Sequence, residues 1–117
     1  MKTLAQVGAA LVILVVSLAS GPVSFAAASK NVTAQLFKAK CSMCHGVDGK
    51  GLATMHTPDF TNPKWQAVRS DQRLLSMITH GEKGTAMPAW KDKLTATQIR
   101  SLMHYVRSLN SANKRSR

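Results

Sequence analysis

The chain has 117 residues, enough for one domain and no more. Its formal net charge at pH 7 is +11, from 16 Lys and Arg residues against 5 Asp and Glu residues. Such a charge often indicates nucleic-acid binding, but the basic residues are spread along the chain and aromatic residues make up only 5%. We therefore predict no nucleic-acid partner, and expect the charge to favour encounters with acidic proteins.

The segment 1–28 has the features of a secretory signal peptide. A basic start at Lys2 is followed by a short apolar core at 11–19, a Gly-Pro break, and small residues at Ala26 and Ala28. Cleavage after Ala28 predicts a periplasmic protein with no membrane insertion after processing. An uncleaved membrane anchor is the alternative, because the uncharged run is long enough to span a bilayer.

The mature domain is predicted at 29–110, with 111–117 as a basic, flexible tail. A domain of this size has a small core and often needs a disulfide, a metal or a bound group for stability. Export also places the chain where a bare dithiol tends to become oxidised.

Helical periodicity occurs in three places and no alternating strand pattern is found, so we predict an all-α fold. The first helix is expected over 31–44, with Thr33 as its N-cap. The second is expected at 71–80, capped by Ser70 and ended by Gly81 in the left-handed conformation.

The third helix has the clearest signals. Thr95 and Gln98 form a capping-box pair at its start. Its predicted apolar stripe consists of Ile99, Leu102, Met103, Val106 and Leu109, and its polar side of Arg100, His104, Arg107 and Ser108. Three short helices bury little surface, so we expect a large apolar group at the centre with the long Gly- and Pro-containing loops around it.

Both cysteines of the chain lie in "CSMCHG", as Cys41 and Cys44, and His45 follows directly. A redox dithiol requires a preceding strand, and a zinc site requires a second close pair of ligands; neither is visible. The pattern C-x-x-C-H is the attachment sequence of a c-type haem. On one helical turn both sulfurs can bond to the porphyrin, and His45 is placed to bind the iron.

The ligand on the opposite face of the iron decides the chemistry, because a thioether favours electron transfer and an open site favours small-molecule binding. Met87 is the strongest candidate, since it lies mid-loop in "GTAMPAW" between Gly84 and Pro88 and has no helical face to fill. Met55 and His56 stay open as candidates. The structural alternative for Met87 is simple packing beneath the domain.

Five segments together resemble the short class I monohaem cytochromes c of bacteria over about 32–109: "CSMCHG", "VDGKG", "TPDFTNPKW", "GTAMPAW" and "LTATQIRSLMHYVRSL". The resemblance implies a small cytochrome c-like fold, with three main helices and long loops around one covalently attached haem c. It also implies that Cys41 and Cys44 form the thioether links, and that His45 and Met87 are the axial ligands.

The resemblance further implies that the first and last helices cross, with Phe37 near Tyr105 and Val106. It suggests that Trp65 or Trp90 donates a hydrogen bond to a haem propionate.

A family proline carbonyl accepts a hydrogen bond from the proximal imidazole and fixes its ring. Pro58 resembles that proline, and Pro63 competes for the same role.

The predicted function is that of a soluble one-electron carrier and not an enzyme. Its expected partners are redox proteins with acidic docking surfaces: a dehydrogenase, a terminal oxidase or a cytochrome complex. Lys83, Lys91 and Lys93 flank the Met87 loop and are expected to surround the exposed haem edge. Two alternatives stay open: a haem enzyme or gas sensor using His56 at an open distal site, and a haem subunit of a larger oxidoreductase.

Overall fold

The structure, a computed structural model, describes residues 25–111. Within this range the fold is all-α, as predicted, and contains no strand. The helices are α1 (Phe25–Lys40), α2 (Ser42–His45), α3 (Pro63–Ala67), α4 (Asp71–His80) and α5 (Ala96–Ser108), with a 3₁₀ turn at Ala53–Met55. No helix among the described residues combines the length and apolarity needed to cross a membrane.

Most of the predicted signal segment and tail lies outside the described residues, and the predicted cleavage position after Ala28 falls within α1. The start predicted for the first helix was wrong, because α1 begins at Phe25. Thr33 is an interior residue and not an N-cap: its hydroxyl donates to the Ser29 carbonyl, one turn earlier, at 3.0 Å. The helix also ends earlier than predicted, and the turn that begins at Cys41 separates it from α2.

The prediction of α4 is confirmed in its bounds and in its cap, since the Ser70 hydroxyl accepts from the Arg73 N–H at 3.1 Å. Gly81 ends α4 with a φ of 75° but a ψ of −179°, which lies outside the left-handed helical region. The chain therefore leaves α4 in an extended direction, and the predicted left-handed cap was wrong.

The prediction of α5 is also confirmed. Thr95 and Gln98 form the complete capping box, with hydrogen bonds of 3.1 and 2.9 Å. All five residues of the predicted stripe are buried: Ile99, Leu102, Met103, Val106 and Leu109. This stripe packs α5 against both α1 and α4.

The centre of the core lies between α1 and α5. Phe37 and Leu102 are each only 2% exposed. The rings of Phe37 and Tyr105 lie 5.0 Å apart with an interplanar angle of 46°, as the family resemblance implied. Burial of two large side chains of this kind stabilises the fold by roughly 1.5–3 kcal/mol each.

A buried polar junction joins α3 to α5 and was not predicted. Gln66 is 3% exposed, and its Nε2 donates to the carbonyls of Phe60 and Val106 at 2.8 Å each. The Arg107 guanidinium donates to the backbone carbonyl and Oε1 of Gln66 at 2.8 Å, and to Asp71 at 2.6 Å. Arg107 is thus not a solvated residue of a polar face, because it joins three helices.

Candidate haem site

The residues of the C-x-x-C-H motif lie on one helical turn, as predicted. Cys41 is the residue before α2, and the N–H groups of Cys44 and His45 donate to its carbonyl at 3.2 and 2.9 Å. Both cysteines are free thiols and half-buried. Cys41 contacts the hydrophobic core.

The surroundings of the motif favour the neutral forms of its side chains. Burial raises the pKa of the Cys41 thiol to about 11, and the neighbouring Cys44 adds to this rise. Burial also lowers the pKa of His45, so its imidazole is held in the neutral form that binds metals.

The Nδ1 atom of His45 is buried and forms no hydrogen bond within residues 25–111. The structure does not show the predicted bond from this imidazole to the carbonyl of Pro58 or Pro63, and that bond stays a prediction for the haem-bound protein. A neutral imidazole with an unpaired nitrogen, on the same turn as two unbonded thiols, is the donor set of a covalently attached haem. The residues present thus fit haem c.

The loop after α2 is tied to the motif by a residue that sequence reasoning missed. The Thr57 hydroxyl donates to the Cys44 carbonyl at 2.6 Å and accepts from the Leu52 N–H at 2.7 Å. The Gly51 N–H donates to the His45 carbonyl at 2.9 Å. Thr57 opens the segment "TPDFTNPKW", but a single threonine in a loop carries no local signal of this role.

Phe60 is the second residue that was missed, and it contacts the motif directly. Its ring stacks on the imidazole of His45, with centroids 4.7 Å apart and an interplanar angle of 27°. The centroid of the Phe60 ring also lies 6.5 Å from that of Phe37 and 5.0 Å from that of Trp65. The His45 ring is therefore supported by an aromatic cluster.

Met87 lies half-buried on a loop held by backbone hydrogen bonds on both sides. The Glu82 N–H donates to the Met87 carbonyl at 3.2 Å, and the Met87 N–H donates to the Thr85 hydroxyl at 3.1 Å. Further along, the Trp90 N–H donates to the Ile78 carbonyl of α4 at 3.1 Å. The loop is preorganised, while ligation of iron by Met87 stays a prediction.

The same loop passes very close to the end of α4. A Cβ on Gly81 would lie 2.7 Å from the Met87 carbonyl oxygen and 2.9 Å from the Ala89 nitrogen.

Met55 and His56, the competing candidates for the distal ligand, lie in a more exposed setting. Met55 is 42% exposed, and His56 is exposed with a φ of 52° at the end of the 3₁₀ turn.

The two tryptophans have different neighbours. The Arg69 guanidinium lies 4.4 Å from the ring centroid of Trp65, and the Lys93 ammonium lies 5.4 Å from that of Trp90. The predicted propionate contact stays open between them. Lys83, Lys91 and Lys93 are all exposed, as a docking role requires.

The helical fold and the haem-attachment turn together define a monohaem c-type cytochrome domain. The chain belongs to the family described as cytochrome c oxidase, cbb3-type, subunit III, whose model matches residues 28–106. It therefore carries one covalently attached haem c and transfers electrons, and the dithiol and zinc interpretations of the motif are set aside.

Curated relatives share this domain. Subunit CcoP of the cbb3-type cytochrome c oxidase of Rhodobacter capsulatus is 38% identical over 82 residues, covering 64% of this chain and 27% of that protein. Subunit FixP of Rhizobium etli is 34% identical over 87 residues, covering 74% of this chain and 29% of that protein. The chain spans about a quarter of the length of the curated relatives it matches.

Solved structures give the same fold. The KustC0563 c-type cytochrome matches with a TM-score of 0.61 and 31% identity, over 67% of this chain and 96% of that one. Cytochrome cL from Methylophaga aminisulfidivorans matches with a TM-score of 0.59 and 25% identity, over 71% of this chain and 54% of that one.

Proposed function

We propose that this chain is a haem c subunit of a larger oxidoreductase of the terminal-oxidase type and passes single electrons within it. The family match over residues 28–106 carries the proposal, because the curated relatives are named as subunits of cbb3-type oxidases. When bound, the haem supplies a one-electron iron couple, and the protein supplies attachment, ligation and orientation. We therefore prefer the role of an oxidase subunit to that of a free soluble carrier.

Within this function, Cys41 and Cys44 form the thioether links, His45 is the proximal ligand and Met87 is the distal ligand. The helical turn that presents both thiols beside a neutral imidazole supports the first three roles. The hydrogen-bonded loop that holds Met87 supports the fourth, since a preorganised thioether binds with little loss of conformational entropy.

The charge distribution supports a partner with an acidic surface. In the described part of the chain, four of the five acidic side chains are paired with basic ones. The pairs are Asp48 with Lys50 at 3.9 Å, Asp71 with Arg107 at 2.6 Å, Glu82 with Arg73 at 2.6 Å and Asp92 with Lys91 at 4.0 Å. The excess of Lys and Arg stays uncompensated, so docking should weaken as salt rises.

The ligand assignment is tested with Met87→His in the haem-loaded protein. We expect a lower reduction potential, loss of the thioether-to-ferric-iron absorption band and full retention of the haem. Met55→His is the matched control, and its potential should equal that of the wild type. An unchanged potential in Met87→His, or a shifted one in Met55→His, contradicts the assignment. Cys41→Ser should leave at most one thioether and weaken haem retention in denaturant.

The subunit role is tested by native size. The chain, produced in its own host, should migrate with the subunits of a haem oxidase in the membrane fraction after mild solubilisation. Free soluble electron transfer is the second candidate, supported by the similarity to nearly the whole length of the KustC0563 cytochrome. A haem-loaded monomer whose polypeptide is 12.6 kDa or less, free of other subunits, would favour that candidate.

We also propose export to the periplasm with cleavage after Ala28. The mature protein should then begin at Ser29, which N-terminal sequencing checks. An intact N-terminus would favour the uncleaved anchor.

A further inference from the structure

We propose that the ion pair between Arg73 and Glu82 holds the loop that carries Met87 against α4, and thereby controls how readily Met87 leaves the iron. Both are positioning residues, because neither carries the thioether itself. The inference rests on the ligand role of Met87 in the proposed function. It goes beyond that function because it names what opposes the opening of the distal site.

Arg73 and Glu82 lie at opposite ends of α4. Arg73 is in the first turn, and Glu82 is the second residue after the end of the helix at His80. Nη2 of Arg73 nevertheless donates to Oε2 of Glu82 at 2.6 Å. Because the helix rises by about 10 Å between Arg73 and His80, this ion pair holds the chain after Gly81 back towards the helix.

The Arg73–Glu82 pair is shorter and better shielded than the Lys91–Asp92 pair on the other side of Met87. The Glu82 side chain is 28% exposed. Lys91 and Asp92 lie 4.0 Å apart, and the Asp92 side chain is 84% exposed. The attraction between two charges falls with distance and is weakened by water, so the Arg73–Glu82 pair contributes more.

Glu82 connects to both polar backbone groups of Met87. The Glu82 N–H donates to the Met87 carbonyl at 3.2 Å. The Glu82 carbonyl accepts from the Thr85 hydroxyl at 2.8 Å, and the same hydroxyl accepts from the Met87 N–H at 3.1 Å. Displacement of Glu82 therefore displaces the backbone of Met87.

The tip of the loop has little other support. Residues 83–86 are all exposed, and apart from its chain neighbours no described atom lies within 4 Å of a Cβ added to Gly84. Loss of the ion pair should therefore raise the population of an open loop. An open loop removes the thioether and frees the distal side of the iron for small molecules, so the ion pair favours electron transfer.

The test measures the binding of imidazole to the ferric, haem-loaded protein. Added imidazole binds only when Met87 is displaced, so its apparent affinity follows the population of the open loop. Arg73→Gln and Glu82→Gln should each raise this affinity about 2- to 5-fold, as expected for the loss of a surface ion pair. Arg73→Lys keeps the charge and should lie closer to the wild type.

Asp92→Asn is the matched control. It makes the same change of charge five residues after Met87 that Glu82→Gln makes five residues before it, and it should keep the wild-type affinity. The double variant Arg73→Gln/Glu82→Gln should bind imidazole no more tightly than either single variant, because both substitutions remove the same interaction. In about 1 M salt the difference between these variants and the wild type should disappear.

A wild-type imidazole affinity in Glu82→Gln overturns the inference, and so does an equal increase in Asp92→Asn, which would indicate a general effect of charge. Hydrogen exchange at the N–H groups of Thr85 and Met87 tests the hold on the loop without reference to the iron. It should be faster in Glu82→Gln than in Asp92→Asn, and equal rates overturn the inference. A wild-type ferric protein without the thioether absorption band would instead refute the proposed ligand role of Met87, so the two failures are distinguishable.

Discussion

Gly81 connects α4 to the loop that carries Met87, and Gly81→Ala should disrupt that connection. Its φ of 75° and ψ of −179° lie in a region open essentially to glycine alone. The added Cβ would lie 2.7 Å from the Met87 carbonyl oxygen and 2.9 Å from the Ala89 nitrogen. Both obstacles are backbone atoms, so no change of rotamer relieves the contact, and the loop must move.

The expected loss of folding stability in Gly81→Ala has two contributions. The strained backbone costs about 1–3 kcal/mol. Displacement of the loop also weakens the bond from Glu82 N–H to the Met87 carbonyl, which has a net value of about 1 kcal/mol. Gly84→Ala is the matched control, because Gly84 has a φ of 80° but no described atom lies within 4 Å of its added Cβ. It should cost only about 1–2 kcal/mol from the backbone.

The assay is urea unfolding of the two haem-loaded variants, combined with the absorption band of the thioether–ferric iron bond. Gly81→Ala should be the less stable variant and should lose most of this band, while Gly84→Ala should keep it. Equal stabilities would refute the close-contact argument. A full thioether band in Gly81→Ala would show that the loop does not set the position of Met87.

Three further predictions concern single side chains. In urea unfolding, Arg107→Met should reduce the unfolding free energy by about 2–3 kcal/mol, because it leaves buried acceptors of Gln66 unpaired. The control is Arg100→Met at an exposed position, which should change this free energy by no more than about 0.5 kcal/mol. Cys41 of the apoprotein should be alkylated up to about 100-fold more slowly at about pH 8 than Cys41 of the urea-unfolded chain, because burial raises the pKa of its thiol to about 11. Mass spectrometry measures both rates, and equal rates would contradict this prediction. Apoprotein should lose stability as pH falls through about 6.5, because the lowered pKa of His45 lets the unfolded chain take up the proton first; His45→Gln should lack this part of the pH dependence.

Local signals explain which helices could be predicted. The bounds of α4 follow from the cap at Ser70, an apolar side and Gly81 at its end, and the start of α5 follows from its capping box. The start of α1 did not follow, because small residues such as Ala26 and Ala28 are compatible with both a cleavage site and a helix. Composition alone does not choose between these two states.

The residues that hold the motif in place could not be predicted from the sequence, for a different reason. Gln66 binds the carbonyl of Val106, 40 residues away, and no local pattern marks a glutamine that will be buried. Phe60 was visible only as one apolar residue in a loop. The proline bond expected for His45 came from the family resemblance and not from a local pattern, and it stays a prediction.

The turn that carries the C-x-x-C-H motif and the loop that carries Met87 are the two halves of the proposed site. Because they are held by different contacts, we expect mutations in them to have different effects. The attachment half is one helical turn, closed by bonds to the Cys41 carbonyl, and its covalent bonds to the haem would survive a shift of the Met87 loop. The Met87 half depends on tertiary contacts, because its loop is held against Gly81 and the end of α4. Damage to the loop should therefore lower the reduction potential while the haem stays attached, and only changes to the motif should release it.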